Sequence, residues 1–249
     1  MNDHELAAHV AERAGELLLE VRAAAVAEGV DEAELKTRGD TRSNDLILSL
    51  LAEHRPDDAV LSEESKDDLV RLDAERVWIV DPVDGTREYS ESRADWAVHV
   101  ALVAAGAPIA AAVALPGAAL VLNMDPVSPI APPHAGPIRL VVSRTRPPAL
   151  ATYLAESQGM ELVPMGSAGA KAMSVLLGDS DVYAHGGGQY EWDSCAPVGV
   201  ALAAGLHCSR LDGSPLVYNN ENPYLPDLLI CRPELADQML ATIAAAPTS

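Results

Sequence analysis

The chain has 249 residues, is 49% hydrophobic and carries a formal net charge of −20. That length is enough for one large domain or two small ones with an ample core, and the acidity argues against nucleic-acid duplexes and anionic membranes, which both need basic surface. Three cysteines without a C-x-x-C pair give neither a zinc site nor a disulfide framework, and Met1–Glu16 has no signal-peptide apolar core, so a reduced cytoplasm is the expected setting.

Residues 4–28 carry Leu6, Val10, Ala14, Leu17, Leu18 and Val21 at helical spacing and stop at Gly29. A second helix is expected after Gly39-Asp40, running to about His54 and ended by Pro56. Ala59–Leu61 reads as a short strand leading into Ser62-Glu63-Glu64-Ser65, and Val77–Val80 as a buried strand that ends on Asp81 and is stopped by Pro82. Trp96–Met124 holds no charged residue if His99 is neutral, but Gly106, Pro108, Pro116 and Gly117 cut it into pieces too short to cross a membrane. It reads as three consecutive strands of a sheet covered on both faces. Five prolines between Asp125 and Pro137 mark a loop, and the expected domains are 1–132 and 133–249. Beyond it come a strand at Ile138–Val142, helices at Pro147–Ser157 and Ala168–Leu177, and a strand at Asp181–Ala184. A flexible Gly186-Gly187-Gly188 loop, a helix at Ser194–Ala204, a core strand at Leu228–Cys231 and a terminal helix complete the chain. Alternating strands and helices there suggest an α/β layer.

The chemistry concentrates in Val77–Tyr89. Asp81 and Asp84 end a buried strand that has no Lys or Arg to neutralise them, so something cationic must. Hard oxygen donors at this spacing suit Mg²⁺. Gly85 permits close backbone approach, and the amides of Gly85 and Thr86 can hold a phosphate if a helix starts there. An Asx-type turn accounts for the same residues without a ligand.

Trp78-Ile79-Val80-Asp81-Pro82-Val83-Asp84-Gly85-Thr86 resembles the signature of the lithium-sensitive, Mg²⁺-dependent phosphatases: inositol monophosphatases, fructose-1,6-bisphosphatases and 3′(2′),5′-bisphosphate nucleotidases. The resemblance spans nearly the whole chain. It implies an α/β fold, a layered α-β-α-β-α sandwich with an α+β N-terminal half and an α/β C-terminal half. It also implies two or three Mg²⁺ held by Glu63, Asp81, the Val83 carbonyl, Asp84 and Asp193. Asp40 and Thr86 then orient and deprotonate a water, and Gly85 and Thr86 hold phosphate oxygens. Glu63 lies eighteen residues before Asp81, and Asp193 stands in Glu191-Trp192-Asp193 at a helix start. By themselves they read equally as an acidic turn and an N-cap. Asp40 is aligned by Pro56 sixteen residues on; Asn44 replaces the family's glutamate.

Within the superfamily, Arg87-Glu88-Tyr89 is similar to the Lys/Arg-Glu-Phe of the bisphosphate nucleotidases rather than the Thr-Asn-Phe of inositol monophosphatases. Ser143-Arg144, Gly166-Ser167-x-x-x-Lys171, Glu191-Trp192-Asp193 and Asp212–Asn219 agree with that branch. The resemblance implies a small nucleotide substrate, 3′-phosphoadenosine 5′-phosphate, hydrolysed at its 3′-phosphate to AMP; many relatives are homodimers, and the sequence by itself fixes no oligomeric state. Arg144 and Lys171 are the expected cations for the second phosphate, with Ser167, His185, Glu191 and Tyr218 as further substrate contacts. His185 stands where an Arg is usual, which leaves inositol, sugar or nucleoside phosphates open. A phosphometabolite-binding protein without catalysis is the remaining alternative. With mutually repelling carboxylates, Asp84→Asn is expected to leave the metal-free fold unharmed.

Overall fold

The computed structural model describes residues 1–145 and 147–247. Helix α1 (Asp3–Glu28) starts at Asn2, whose side chain accepts from Glu5 N while Glu5 reaches back to Asn2 N, and ends at Gly29 with φ 71°. Helix α2 (Glu32–His54) is capped by Asp31. It begins well ahead of Gly39-Asp40, so those residues lie mid-helix and Asp40 caps nothing. Gly39 is needed there for packing, since a Cβ would come 2.7 Å from the Tyr89 ring.

Two five-stranded sheets follow. The first has the order β1 (Ala59–Ser62), β2 (Arg76–Asp84), β3 (Ala97–Ala104), β4 (Ala107–Leu115), β5 (Leu120–Asn123), with β1 parallel to β2 and the rest antiparallel. The uncharged run thus breaks at Gly106 and Pro116-Gly117 into three strands. The second sheet contains β6 (Arg139–Ser143), β7 (Glu161–Met165), β8 (Val182–Tyr190), β9 (His207–Ser209) and β10 (Tyr224–Cys231), ordered β7-β6-β8-β10-β9. The remaining helices are α3 (Thr86–Ser90), α4 (Ala149–Gln158), α5 (Ala168–Leu177), α6 (Glu191–Ala204) and α7 (Ala236–Ala244).

Strand alternation builds the layers. Trp78, Val80, Val98, Val100 and Leu102 face Leu6, Val10, Leu18 and Ile47 of α1 and α2. Val77, Ile79, Ala101 and Val103 face the opposite way, onto Met173, Leu176, Val198 and Val200 of α5 and α6, which also cover Val141, Tyr183 and Ile230 of the second sheet. The far face of that sheet, with Leu140, Val182 and Leu229, is closed by Ala151 and Leu154 of α4 and by Met239 of α7. The result is an α-β-α-β-α sandwich, as the resemblance implied.

Two expectations are corrected, and two strands appear that none of them included. Gly186–Gly188 is not a free loop: β8 continues through it, pairing Gly186 with Asp227 beside a register shift in β10. Helix α6 begins at Glu191, so Asp193 is its third residue and not its cap. Strands β7 and β9 escape a hydrophobicity reading because β7 is largely solvent-facing and β9 has three residues. No helix among the described residues is long and apolar enough to cross a membrane.

Candidate active site

The site forms where β2 departs from regular alternation. Asp81 has the parity of Val77 and Ile79 and faces the central helical layer. In an unbroken strand Asp84 would face the other way. The β2–β3 register instead jumps from Asp81 opposite His99 to Asp84 opposite Ala97, three residues against two. Pro82 lies in this bulge, so β2 runs on to Asp84 where the sequence suggested a stop. After it, Val83 packs toward α1 and α2, and Asp84 turns to the same side as Asp81.

There Asp81, Asp84 and Asp193 bring carboxylate oxygens within 4.8 Å of one another. Burial, then the charges of Glu63, Asp84 and Asp193, hold Asp81 well above the usual carboxylate range. Glu63 is pushed up to about 7 by burial and the charge of Asp193, and Asp193 to about 6 by burial and the charge of Asp84. Asp81 Oδ1 accepts from Val83 N at 3.0 Å, while the buried Oδ2 has no N–H or hydroxyl donor among the described residues. A hard cation satisfies this all-oxygen donor set; a buried carboxylate oxygen without a donor is otherwise costly.

Asp84 is different. It accepts from Ser167 Oγ, from Ala168 N at 3.0 Å and from Gly169 N at 2.6 Å, at the start of α5. His99 Nε2 lies 3.2 Å from Asp84 Oδ2, and its Nδ1 lies 2.9 Å from the Trp192 carbonyl. With acceptors on both nitrogens, His99 is drawn toward the doubly protonated form, and its pKa rises against the effect of burial. Asp84 in turn falls to about 2 despite burial, held by the charge of the nearby His99 and by the hydrogen bond from Ser167. The strand lacks a cation, and its neighbour places a histidine against Asp84 instead. His99 was legible only as the single ionisable residue in an apolar run.

Helix α2 holds the two acidic segments in place. Ser43 Oγ donates to the Pro82 carbonyl at 2.8 Å, and Asn44 accepts from Ser62 Oγ at 2.7 Å and donates to Ser65 Oγ at 3.3 Å. The residue replacing the family's glutamate therefore clamps the turn carrying Glu63. Asp40, on the same helix, rises to about 7 through burial and the nearby charge of Glu64. Thr86 donates to the Val83 carbonyl at 3.1 Å; no hydrogen bond joins it to Asp40 among the described residues. Gly85, at φ 85°, packs so closely that a Cβ would sit 3.0 Å from Ser167 Cβ.

The expected substrate residues fall into two groups. Lys171 is buried beside Asp84, donating to Ser167 O at 2.6 Å and Gly166 O at 3.4 Å. Its ammonium lies 5.4 Å from the Tyr183 ring centre, and His185, next along that face of β8, has a buried Nε2 without a hydrogen-bond partner among the described residues. The others are held within the fold. Arg144 pairs with Glu88 at 3.0 Å and Glu91 at 2.6 Å. Glu191 accepts from Asn219 N, Asn220 N and Asn220 Nδ2. Tyr218 is buried in the central core with its hydroxyl 3.3 Å from Ser194 Oγ. Ser167 caps α5 through Ala170 N.

Residues 3–125 and 138–247 match the model of the inositol monophosphatase family. The chain is 53% identical over 243 residues to a 3′-phosphoadenosine 5′-phosphate phosphatase of Mycobacterium bovis, covering 94% of this chain and 90% of that one. It is 31% identical over 201 residues to the 3′(2′),5′-bisphosphate nucleotidase CysQ of Escherichia coli, covering 76% and 81%. The crystal structure of CysQ from Bacteroides thetaiotaomicron superposes with a TM-score of 0.78 at 26% identity, covering 92% of this chain and 96% of that chain. Its sequence, its layers and its carboxylate cluster agree: this chain belongs to the inositol monophosphatase family.

Proposed function

We propose that the chain is a Mg²⁺-dependent phosphomonoesterase that removes the 3′-phosphate of 3′-phosphoadenosine 5′-phosphate, giving AMP and phosphate. The observation that carries the reading is the cluster of Asp81, Asp84 and Asp193 with an orphaned, buried Asp81 Oδ2. The 53% identity to a protein named for that substrate supports the choice of ester. Bound Mg²⁺, two or three ions, supplies neutralisation of the ester's charge, an activated nucleophile and stabilisation of the leaving oxygen. Glu63, Asp81, the Val83 carbonyl, Asp84 and Asp193 hold it. Asp40, raised to about 7, is matched to accept a proton from water near neutral pH. Thr86 orients that water, and the Gly85 and Thr86 amides take phosphate oxygens. The non-reacting phosphate is assigned to Lys171 and His185, since Arg144 is already paired with two glutamates. A cytoplasmic homodimer completes the proposal on resemblance alone.

The test is kcat/KM for 3′-phosphoadenosine 5′-phosphate, AMP, inositol 1-phosphate and fructose 1,6-bisphosphate, each with Mg²⁺ and with EDTA. One charged contact to a second phosphate is worth about 10- to 150-fold in kcat/KM. The bisphosphate is expected to lead by that margin and all turnover to stop in EDTA. Equal turnover of inositol 1-phosphate defeats the substrate assignment; turnover in EDTA defeats the metal mechanism.

A further inference from the structure

Two metal ligands come from different layers of the architecture. Glu63 follows β1 of the first sheet, and Asp193 lies in α6, which follows β8 of the second. Without a cation between them their charges repel. A buried arginine joins the segments that carry them.

Arg71 is 2% exposed and lies eight residues after Glu63, in a 3-10 turn at Val70–Asp73. It donates from Nε and Nη2 to Asp67 Oδ2 at 3.1 and 2.8 Å, which closes its own loop. Its other bonds cross the molecule: Nη1 to Asn219 Oδ1 at 2.6 Å, Nη2 to the Asn220 carbonyl at 2.9 Å, and the Arg71 carbonyl from Asn219 Nδ2 at 3.3 Å. The same two asparagines hold the start of α6. Asn219 N and Asn220 N donate to Glu191 at 2.6 and 2.9 Å, and Asn220 Nδ2 at 2.7 Å. Asp193 is two residues on, with Oδ2 accepting from Tyr190 N at 2.7 Å. Asn219 has φ 64°, a conformation Asn accepts more readily than most residues, so the 219–220 turn presents two amides and a carboxamide at once.

We propose that Arg71, through Asn219, Asn220 and Glu191, is a positioning residue for the metal site. It ties the Glu63 loop to the start of α6, so that Glu63 and Asp193 are held at ligand spacing before any cation arrives. The inference rests on the metal site of the preceding section and not on the identity of the ester. A buried guanidinium is costly unless its donors are satisfied, and here the groups that satisfy it belong to both segments. Glu191 and Asn219, which resemble substrate-branch motif residues, act in this strap.

The test uses the full chain without substrate. Tb³⁺ luminescence sensitised by Trp192, beside Asp193, reports binding, and Mg²⁺ competition gives its affinity. Arg71→Met removes the guanidinium, and Asn219→Gly removes the carboxamide while keeping the left-handed backbone. Loss of such supporting contacts lowers metal affinity about 10- to 100-fold. Arg71→Met is expected in that range, Asn219→Gly at its lower end, and Arg71→Lys between wild type and Arg71→Met. The Mg²⁺ concentration for half-maximal activity should shift in parallel, with kcat at saturating Mg²⁺ within about threefold. A purely structural role would lower the melting temperature without this split. If Arg71→Met fails to fold, Asn219→Gly and Asn220→Ala decide. Wild-type Mg²⁺ affinity in those variants overturns the strap alone; no saturable metal binding by the unaltered protein overturns the strap and the metal site together.

Discussion

Asp81 and Asp84 stand three residues apart, yet substitution by Asn should act on them in opposite directions. Asp81 Oδ2 has no N–H or hydroxyl donor among the described residues and several negative neighbours, so Asp81→Asn relieves repulsion and should raise the melting temperature of the metal-free protein. Asp84 accepts from Ser167, Ala168 and Gly169 and lies 3.2 Å from His99 Nε2; an amide NH₂ there would face donors. Asp84→Asn should cost about 1–3 kcal/mol, which reverses the expectation formed from the sequence. Thermal unfolding in EDTA separates the two, and equal shifts would contradict the contacts. Both variants should lose most activity. A pH dependence follows as well. Glu63 near 7, Asp193 near 6 and the raised Asp81 bind protons in the folded chain that the unfolded chain has released above about 4.5. The native state therefore holds more protons, and metal-free stability falls as pH rises from about 5 to 7.5. His99, also raised, acts with the same sign. Mg²⁺ must displace these protons, so its stabilisation should grow over that interval. A melting temperature in EDTA that stays flat from pH 5 to 7.5 would refute the assignment.

At the level of elements, the start of α5 is the critical junction. Gly169 lies so close to His99 that a Cβ would approach Nε2 to 2.0 Å. Gly169→Ala must push His99 or α5 away from Asp84. Overpacking of this kind costs about 1–3 kcal/mol, and activity should fall with the melting temperature even though no ligand is changed. On the opposite side, Ser43→Ala removes the bond to the Pro82 carbonyl at the bulge. It should cost about 1 kcal/mol and weaken activity more than that loss in stability implies. Normal kcat/KM in Ser43→Ala would show that the bulge holds its shape without α2.

Across the whole molecule the central layer does two things at once. Helices α5 and α6 bury the inner faces of both sheets, and their N-termini deliver Ser167 and Asp193 to one point on the first sheet. A cation bound there joins the halves. At a Mg²⁺ concentration one hundred times Kd the gain is about 2.7 kcal/mol, a rise in melting temperature of about 5–10 °C for a chain of this size. With a net charge of −20, added NaCl should also stabilise the chain by screening, but less per mole than Mg²⁺ does. If equal ionic strengths of NaCl and MgCl₂ gave equal shifts, general screening and not a site would be responsible.

The carboxylates expected at the site were legible because chemistry on a phosphate ester calls for them, and the likeness of Asp81-Pro82-Val83-Asp84-Gly85-Thr86 to the family signature, not the run by itself, set it apart from an Asx-type turn. The layers were legible because apolar alternation and helical spacing are local properties. Even the three strands of Trp96–Met124 announced themselves through their glycines and prolines. What the chain did not reveal locally was decided by partners far along it. Helix α2 ran through Gly39-Asp40 because tertiary packing, Tyr89 against Gly39, outweighs a local break. Gly186–Gly188 became strand because β10 pairs with it. Asp84 joined Asp81 through a bulge whose existence depends on β3. His99, Arg71, Asn44 and Glu191 make their contacts with residues some 15 to 149 positions away, and contacts across such separations leave no periodic trace in a sequence.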